Sequence, residues 1–129
     1  PVLASTMPPV LTADTGIDAL THALEAVVSI FASPYTDALC AQAARLIFEC
    51  LPKTYHDPDD LAARTDMSNA ATLAGLAFSN AFVGTNHALA HAVGAKFGIA
   101  HGRANAIFLP HVLRYNSGLP SKFMPAPGY

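Results

Sequence analysis

An all-α helical bundle is the fold class this sequence predicts, and three observations carry the prediction. Apolar residues recur at helical spacing in one stretch after another, each closed by Pro, Gly or a polar cluster. Strand-like alternation, internal repeats and low-complexity tracts are all lacking. With 52% hydrophobic and 12% charged residues in 129, the chain has the composition of a single globular domain with a moderate core.

The elements follow in order. Pro1 to Leu11 holds Pro1, Pro8 and Pro9 among Val, Leu and Met, and reads as an extended segment leading in from upstream. From Thr15 to about Ser29, Ile17, Leu20, Thr21, Leu24, Val27 and Val28 keep helical period, and Thr15-Gly16-Ile17-Asp18 matches a helix start. Ala32-Ser33-Pro34 breaks that helix. A second, apolar along Leu39, Cys40, Ala43, Ala44, Leu46, Ile47 and Leu51, begins near Thr36-Asp37 and runs up to Pro52. His56-Asp57-Pro58-Asp59-Asp60 marks a surface loop. The stretch from about Leu61 to Phe82, rich in Ala, Ser, Asn and Gly, suits one or two helices packed closely on their neighbours. After Gly84-Thr85-Asn86 a helix from His87 to about Lys96 is stopped by Gly98, which leaves His101 to a loop. Ala104 to Tyr115 carries Pro110 and is either one broken helix or two short ones. The chain starts at Pro1 without an initiator Met and stops at Tyr129 without a recognisable terminal element, so we read it as a piece of a longer protein.

Charge and cysteine content narrow the function. Seven basic and nine acidic residues, with no run of Lys or Arg, give no electrostatic footprint for nucleic acid. No window approaches the apolar length of a membrane span, and no signal peptide stands at the start. Cys40 and Cys50 fall in one expected helix, about 15 Å apart along its axis and beyond disulfide reach. Reduced thiols and a cytoplasmic setting are the expectation.

The residues that carry chemistry are Asp18, His22, His87, His91 and His101. Asp18/His22 and His87/His91 are each four residues apart, so each pair shares a helix face at about 6 Å along the axis. An Asp with imidazoles makes a mixed oxygen and nitrogen set suited to Fe(II) or Zn(II), and no Cys near them suggests a thiolate site. With a coordination position open, such an ion is a Lewis acid. Each member also has a plainer reading. Asp18 can be the acidic partner in a capping box begun by Thr15, and His22 a hydrogen-bonded, half-buried histidine. For His87, His91 and His101, three of six histidines crowded into one stretch with few charges, that reading is weaker. His56 and His111 read as surface and packing residues. Covalent catalysis has no support, because neither Cys sits near a turn or a Gly-rich loop. No G-x-G-x-x-G or G-x-x-x-x-G-K-[ST] motif occurs, so any dinucleotide would be held mainly elsewhere.

Gly16-Ile17-Asp18-Ala19-Leu20-Thr21-His22-Ala23-Leu24-Glu25-Ala26, His87-Ala88-Leu89-Ala90-His91-Ala92-Val93-Gly94, Ala100-His101-Gly102, Ala104-Asn105-Ala106-Ile107 and Leu109-Pro110-His111-Val112-Leu113-Arg114-Tyr115-Asn116 together resemble the iron-containing alcohol dehydrogenases. The resemblance runs from Met7-Pro8-Pro9 to Asn116. The tail Gly118-Leu119-Pro120-Ser121-Lys122-Phe123 looks most like the alcohol dehydrogenase half of bifunctional aldehyde-alcohol dehydrogenases.

The resemblance implies a two-domain dehydrogenase whose Rossmann-like domain, holding NAD or NADP, is not in this chain. Residues 1–11 would then end that cofactor domain or link to it, and 12–129 would be the metal-binding helical domain, incomplete at its C-terminus. By motif, Asp18, His22, His87 and His101 would be the ligands of Fe(II), or of Zn(II). His91 would face the cleft near nicotinamide and substrate. The implied reaction is hydride transfer between a small primary alcohol, ethanol first, and the nicotinamide, in a homo-oligomeric parent protein. Val27, Ala100 and Arg103 stand where many relatives have Tyr, Pro and Leu, which makes a different pocket the expectation. Two other classes stay open at this stage. A metal-dependent hydrolase lacks a His-Asp dipeptide among the clustered histidines, since His56-Asp57 lies in a polar loop. A non-catalytic assembly module would use the small-residue helices as contact faces.

Overall fold

Five helices, with no strand among the described residues 1–118, make up the computed structural model: α1 (Pro9–Val27), α2 (Pro34–His56), α3 (Leu61–Ala81), α4 (Thr85–Phe97) and α5 (His101–Ser117). The expected all-α class is what the structure has. The tail signature beyond Gly118 lies outside the described residues.

Helix starts depart from expectation for one recurrent reason. Proline at the first helical position loses nothing, because the N–H it lacks would have had no partner there. Thus α1 begins at Pro9 rather than near Thr15, after a short 3-10 turn at Val2–Ala4, and the segment expected to be extended is partly helical. The Thr15 hydroxyl donates back to the Leu11 carbonyl at 2.8 Å, so Thr15 is mid-helix and caps nothing. Asp18 and His22 therefore sit in the middle of α1, not in its first turns, and the capping-box reading of Asp18 falls. Likewise α2 opens at Pro34 under a Ser33/Thr36 capping box.

Interior prolines are tolerated on exposed faces. α2 runs through Pro52 to His56 instead of ending before it, and α5 is one helix through Pro110; both prolines are exposed, so their rings meet no neighbouring helix. His111, expected to pack, is exposed, because the buried face of α5 runs along Gly102, Asn105, Leu109 and Val112.

Packing is set by small side chains. α1, α2 and α3 close around Ala23, Ala26, Cys40, Ala43, Ala74, Ala77 and Ala81, continued by Ala19, Leu20, Ile47 and Ala70. Alanine at the contacts lets helix axes approach closely. Both cysteines are free and buried. The buried Arg64 of α3 donates to the Pro58 carbonyl at 3.2 Å and to Thr12 Oγ1 at 3.1 Å, tying α3 and its leading loop to α1.

α4 and α5 pack on each other, and α5 lies along α1. Gly98, left-handed at φ 65°, ends α4 and reverses the chain. Gly102 then lets the first turn of α5 touch the α1 backbone, since a Cβ there would overlap the Asp14 carbonyl. Arg103 donates to the Asp14 carboxylate at 3.2 Å across the same seam. His101 is the first residue of α5, not a loop residue, and this crossing brings it to Asp18.

Candidate metal centre

Three helices deliver five side chains to one place. On α1, Asp18 and His22 share a face, and Glu25 continues it one turn further. His87 lies in the first turn of α4, and His101 opens α5. One ligating atom each of Asp18, His22 and His87 lie within 4.8 Å of one another. His101 Nε2 is 3.3 Å from Asp18 Oδ1, and His87 Nε2 is 3.5 Å from the same oxygen. The His22 ring stacks on Phe78 of α3 at 4.3 Å between centroids, which fixes its plane. All four expected ligands are brought together. His91, one turn beyond His87, is exposed, with its ring 4.8 Å from that of His101 and 6.3 Å from that of His87.

The centre of this group is His87. Its ring is buried, Nδ1 meets Glu25 Oε2 at 2.6 Å, and Nε2 has no hydrogen-bond partner. A buried polar atom without a partner is costly, and a ring nitrogen left free amid a carboxylate and two imidazoles is what a divalent cation needs. The residues present fit a metal ion.

Electrostatics say the same of the metal-free protein. Burial works against a charged His87 ring, but Asp18 and Glu25 outweigh it and hold its pKa up at about 9. Burial opposes the charged forms of Asp18 and Glu25 as well. The His87 ring, with His22 and Asn105 around Asp18 and backbone N–H groups around Glu25, still brings both carboxyls below their ordinary range. His22 goes down, by burial first, with Asp18 opposing. A proton on His87 thus stands where a cation's charge would.

Three buried polar residues around the expected ligands had no role assigned from sequence. Glu25 accepts the backbone N–H groups of Asn86, at 2.6 Å, and His87, at 3.2 Å. Asn86 donates to Asn105 Oδ1 at 2.8 Å, and Asn105 donates to Asp18 Oδ1 at 2.6 Å while standing 3.1 Å from His101 Nε2. A signal existed in the spacing. Glu25 follows His22 by three residues, Asn105 follows His101 by four, and Asn86 adjoins His87, so each shares a helix face or turn with an expected ligand.

The sequence profile of the Fe-containing alcohol dehydrogenase family, C-terminal, matches residues 12–125. The NADPH-dependent butanol dehydrogenase of Clostridium saccharobutylicum is 56% identical over 115 residues, 89% of this chain and 29% of that protein. Aldehyde-alcohol dehydrogenase 2 of Entamoeba histolytica is 50% identical over all 129 residues, 15% of that protein. Among solved structures, a 1,3-propanediol oxidoreductase superposes with a TM-score of 0.88 at 50% identity, over 89% of this chain and 30% of that one. The chain thus spans less than a third of the length of these relatives.

Proposed function

This chain belongs to the Fe-containing alcohol dehydrogenase family, and we propose that its cluster is the metal centre of an NAD(P)-linked dehydrogenase that interconverts a small primary alcohol and its aldehyde. The observation that carries this reading is the convergence of Asp18, His22 and His87 within 4.8 Å around a buried, unpartnered His87 Nε2. Asp18, His22, His87 and His101 hold a divalent ion, Fe(II) first, with Zn(II) the stronger competitor at a given nitrogen and oxygen site. Bound there, the ion supplies Lewis acidity toward an alcohol or carbonyl oxygen.

The chain's own residues do the rest. Asp18 is the only anionic ligand, so the ion keeps one net positive charge when the three histidines are neutral. His22, fixed against Phe78, and His87, fixed by Glu25, set the ligand directions. His91 orients the nicotinamide or passes the substrate proton to solvent; its exposure beside His101 supports either role. Residues 12–129 belong to the helical metal-binding domain, with 1–11 leading in from the cofactor domain, where NAD is the first cofactor to try and NADP the second. Ethanol is the first substrate to try, and we take the parent to be homo-oligomeric and cytoplasmic. No helix among the described residues is long and apolar enough to cross a membrane.

The test is NAD- or NADP-dependent oxidation of ethanol, propanol and butanol by the parent protein, chelated and then reloaded anaerobically with Fe(II) or Zn(II). Turnover restored by either ion supports the reading. A folded, metal-loaded parent with no turnover on these alcohols or their aldehydes ends it.

A further inference from the structure

We propose that Glu25 is the positioning residue of this centre: one buried carboxylate caps the first turn of α4 and accepts a hydrogen bond from His87 Nδ1–H, so that Nε2 is the nitrogen turned to the ion. The proposal rests on the reading of the cluster as a metal site.

Helix α4 has no cap of its own. Its N-cap is Gly84, which offers no side chain, and the first N–H groups of a helix need acceptors. Glu25 supplies them from α1. Oε1 accepts from the Asn86 N–H, while Oε2 accepts from the His87 N–H and from His87 Nδ1. The carboxylate lies so close to the turn that a Cβ at Gly84 would come 3.0 Å from Oε1. It is 3% exposed, like the ring it holds, so water does not compete for these bonds. The hydrogen bond on one imidazole nitrogen decides which nitrogen binds a metal. Because the same group fixes the helix end and the ring, His87 cannot rotate or change its metal-binding nitrogen without unseating α4.

The chemistry makes Glu25→Gln a sharp substitution. A glutamine has one acceptor oxygen and one NH2 group in place of two acceptors. With the NH2 group toward Asn86, two donors face each other. With it toward His87, Nδ1 must accept, the proton moves to Nε2, and Nε2 is lost as a ligand. Neither orientation keeps all three bonds.

The experiment is a chelator competition for Zn(II) alone on the full-length parent protein, comparing wild type, Glu25→Gln, Asp18→Ala and, as a surface control, Glu49→Gln. Wild type and Glu49→Gln should bind alike, and Asp18→Ala should lose the ion. Glu25→Gln, with wild-type helical content, should bind about 10- to 100-fold more weakly. Its His87 Nδ1 proton, protected in the Zn(II)-loaded wild type, should exchange with solvent or be absent from the 15N–1H spectrum. A folded Glu25→Gln that binds within about twofold of wild type overturns the positioning role alone. A wild type whose Zn(II) affinity is untouched by Asp18→Ala overturns the metal reading beneath it. If Glu25→Gln does not fold, the Zn(II)-loaded wild type decides. A proton on His87 Nδ1 supports the proposal; one on Nε2, or metal on Nδ1, refutes it.

Discussion

Replacing Gly102 with alanine should loosen the proposed metal centre without touching a proposed ligand. The added Cβ falls on the Asp14 carbonyl, overlapping its oxygen, 2.5 Å from its carbon and 3.2 Å from Cα. Both partners are backbone within helices, so no side chain can swing away. Real Cβ atoms keep at least 3.0 Å from such neighbours, and α5 must therefore part from α1 by roughly 1 Å at this turn. Overpacking of this kind costs about 1–3 kcal/mol. His101 is the adjacent residue and Asn105 lies one turn on, and both contact Asp18. Since ligand sets tolerate displacements of only about 0.5 Å, metal affinity should fall together with stability. The assay is thermal unfolding of the metal-free parent, followed by Zn(II) competition. An alanine variant with wild-type Tm and wild-type affinity would refute the claim that this backbone contact sets the position of His101.

Three further outcomes follow from the same structure. Metal-free parent protein should lose stability between pH 6.5 and about 9, measured by denaturant titration. His87 sits above its ordinary pKa, so its contribution is complete below pH 6.5 and disappears as pH climbs through about 9. The loss is about 3 kcal/mol at most, counting its attraction to Asp18 and Glu25 once; His22, lowered by burial, acts only below that window. Over the same range apparent Zn(II) affinity should rise, up to about tenfold per pH unit, because the ion displaces the His87 proton; a flat profile would contradict that displacement. Phe82→Gly should stabilise the protein by about 1 kcal/mol in thermal unfolding, because Phe82 holds φ 64° and ψ −178°, a region open only to glycine. Its edge contact with Phe31, at 5.4 Å, is the offsetting loss, and a lowered Tm would show that this contact outweighs the strain.

Much of the centre was legible in the sequence because helical spacing alone pairs Asp18 with His22, and because His87, His91 and His101 crowd into a stretch with few charges. Helix starts were less legible. Pro9 and Pro34 look like breakers in a string of letters, yet at a first turn they are compatible with the helix, and Pro52 and Pro110 are tolerated because they face solvent. Position in the helix then changed the meaning of Asp18, from cap partner to mid-helix ligand candidate. Spacing puts Glu25 on the helix face of His22, but its burial is not written in the sequence, for a different reason. A glutamate on an amphipathic helix ordinarily reads as a solvated charge, and only the arrival of α4 against α1, through partners 61 and 62 residues away, turns it into a buried acceptor. Asn86 and Asn105 are the same case, since their bond joins two helices across a turn whose direction Gly98 and Gly102 set.

The central claim, that three helices hold one ion through four named side chains, is tested most directly by anomalous diffraction at the metal edge on crystals of the parent protein loaded anaerobically with Fe(II). The account predicts a single peak bonded to an Asp18 carboxylate oxygen, His22, His87 through Nε2 and His101, with Glu25 still on His87 Nδ1. A peak away from Asp18, or one bonded to His87 through Nδ1, would contradict it.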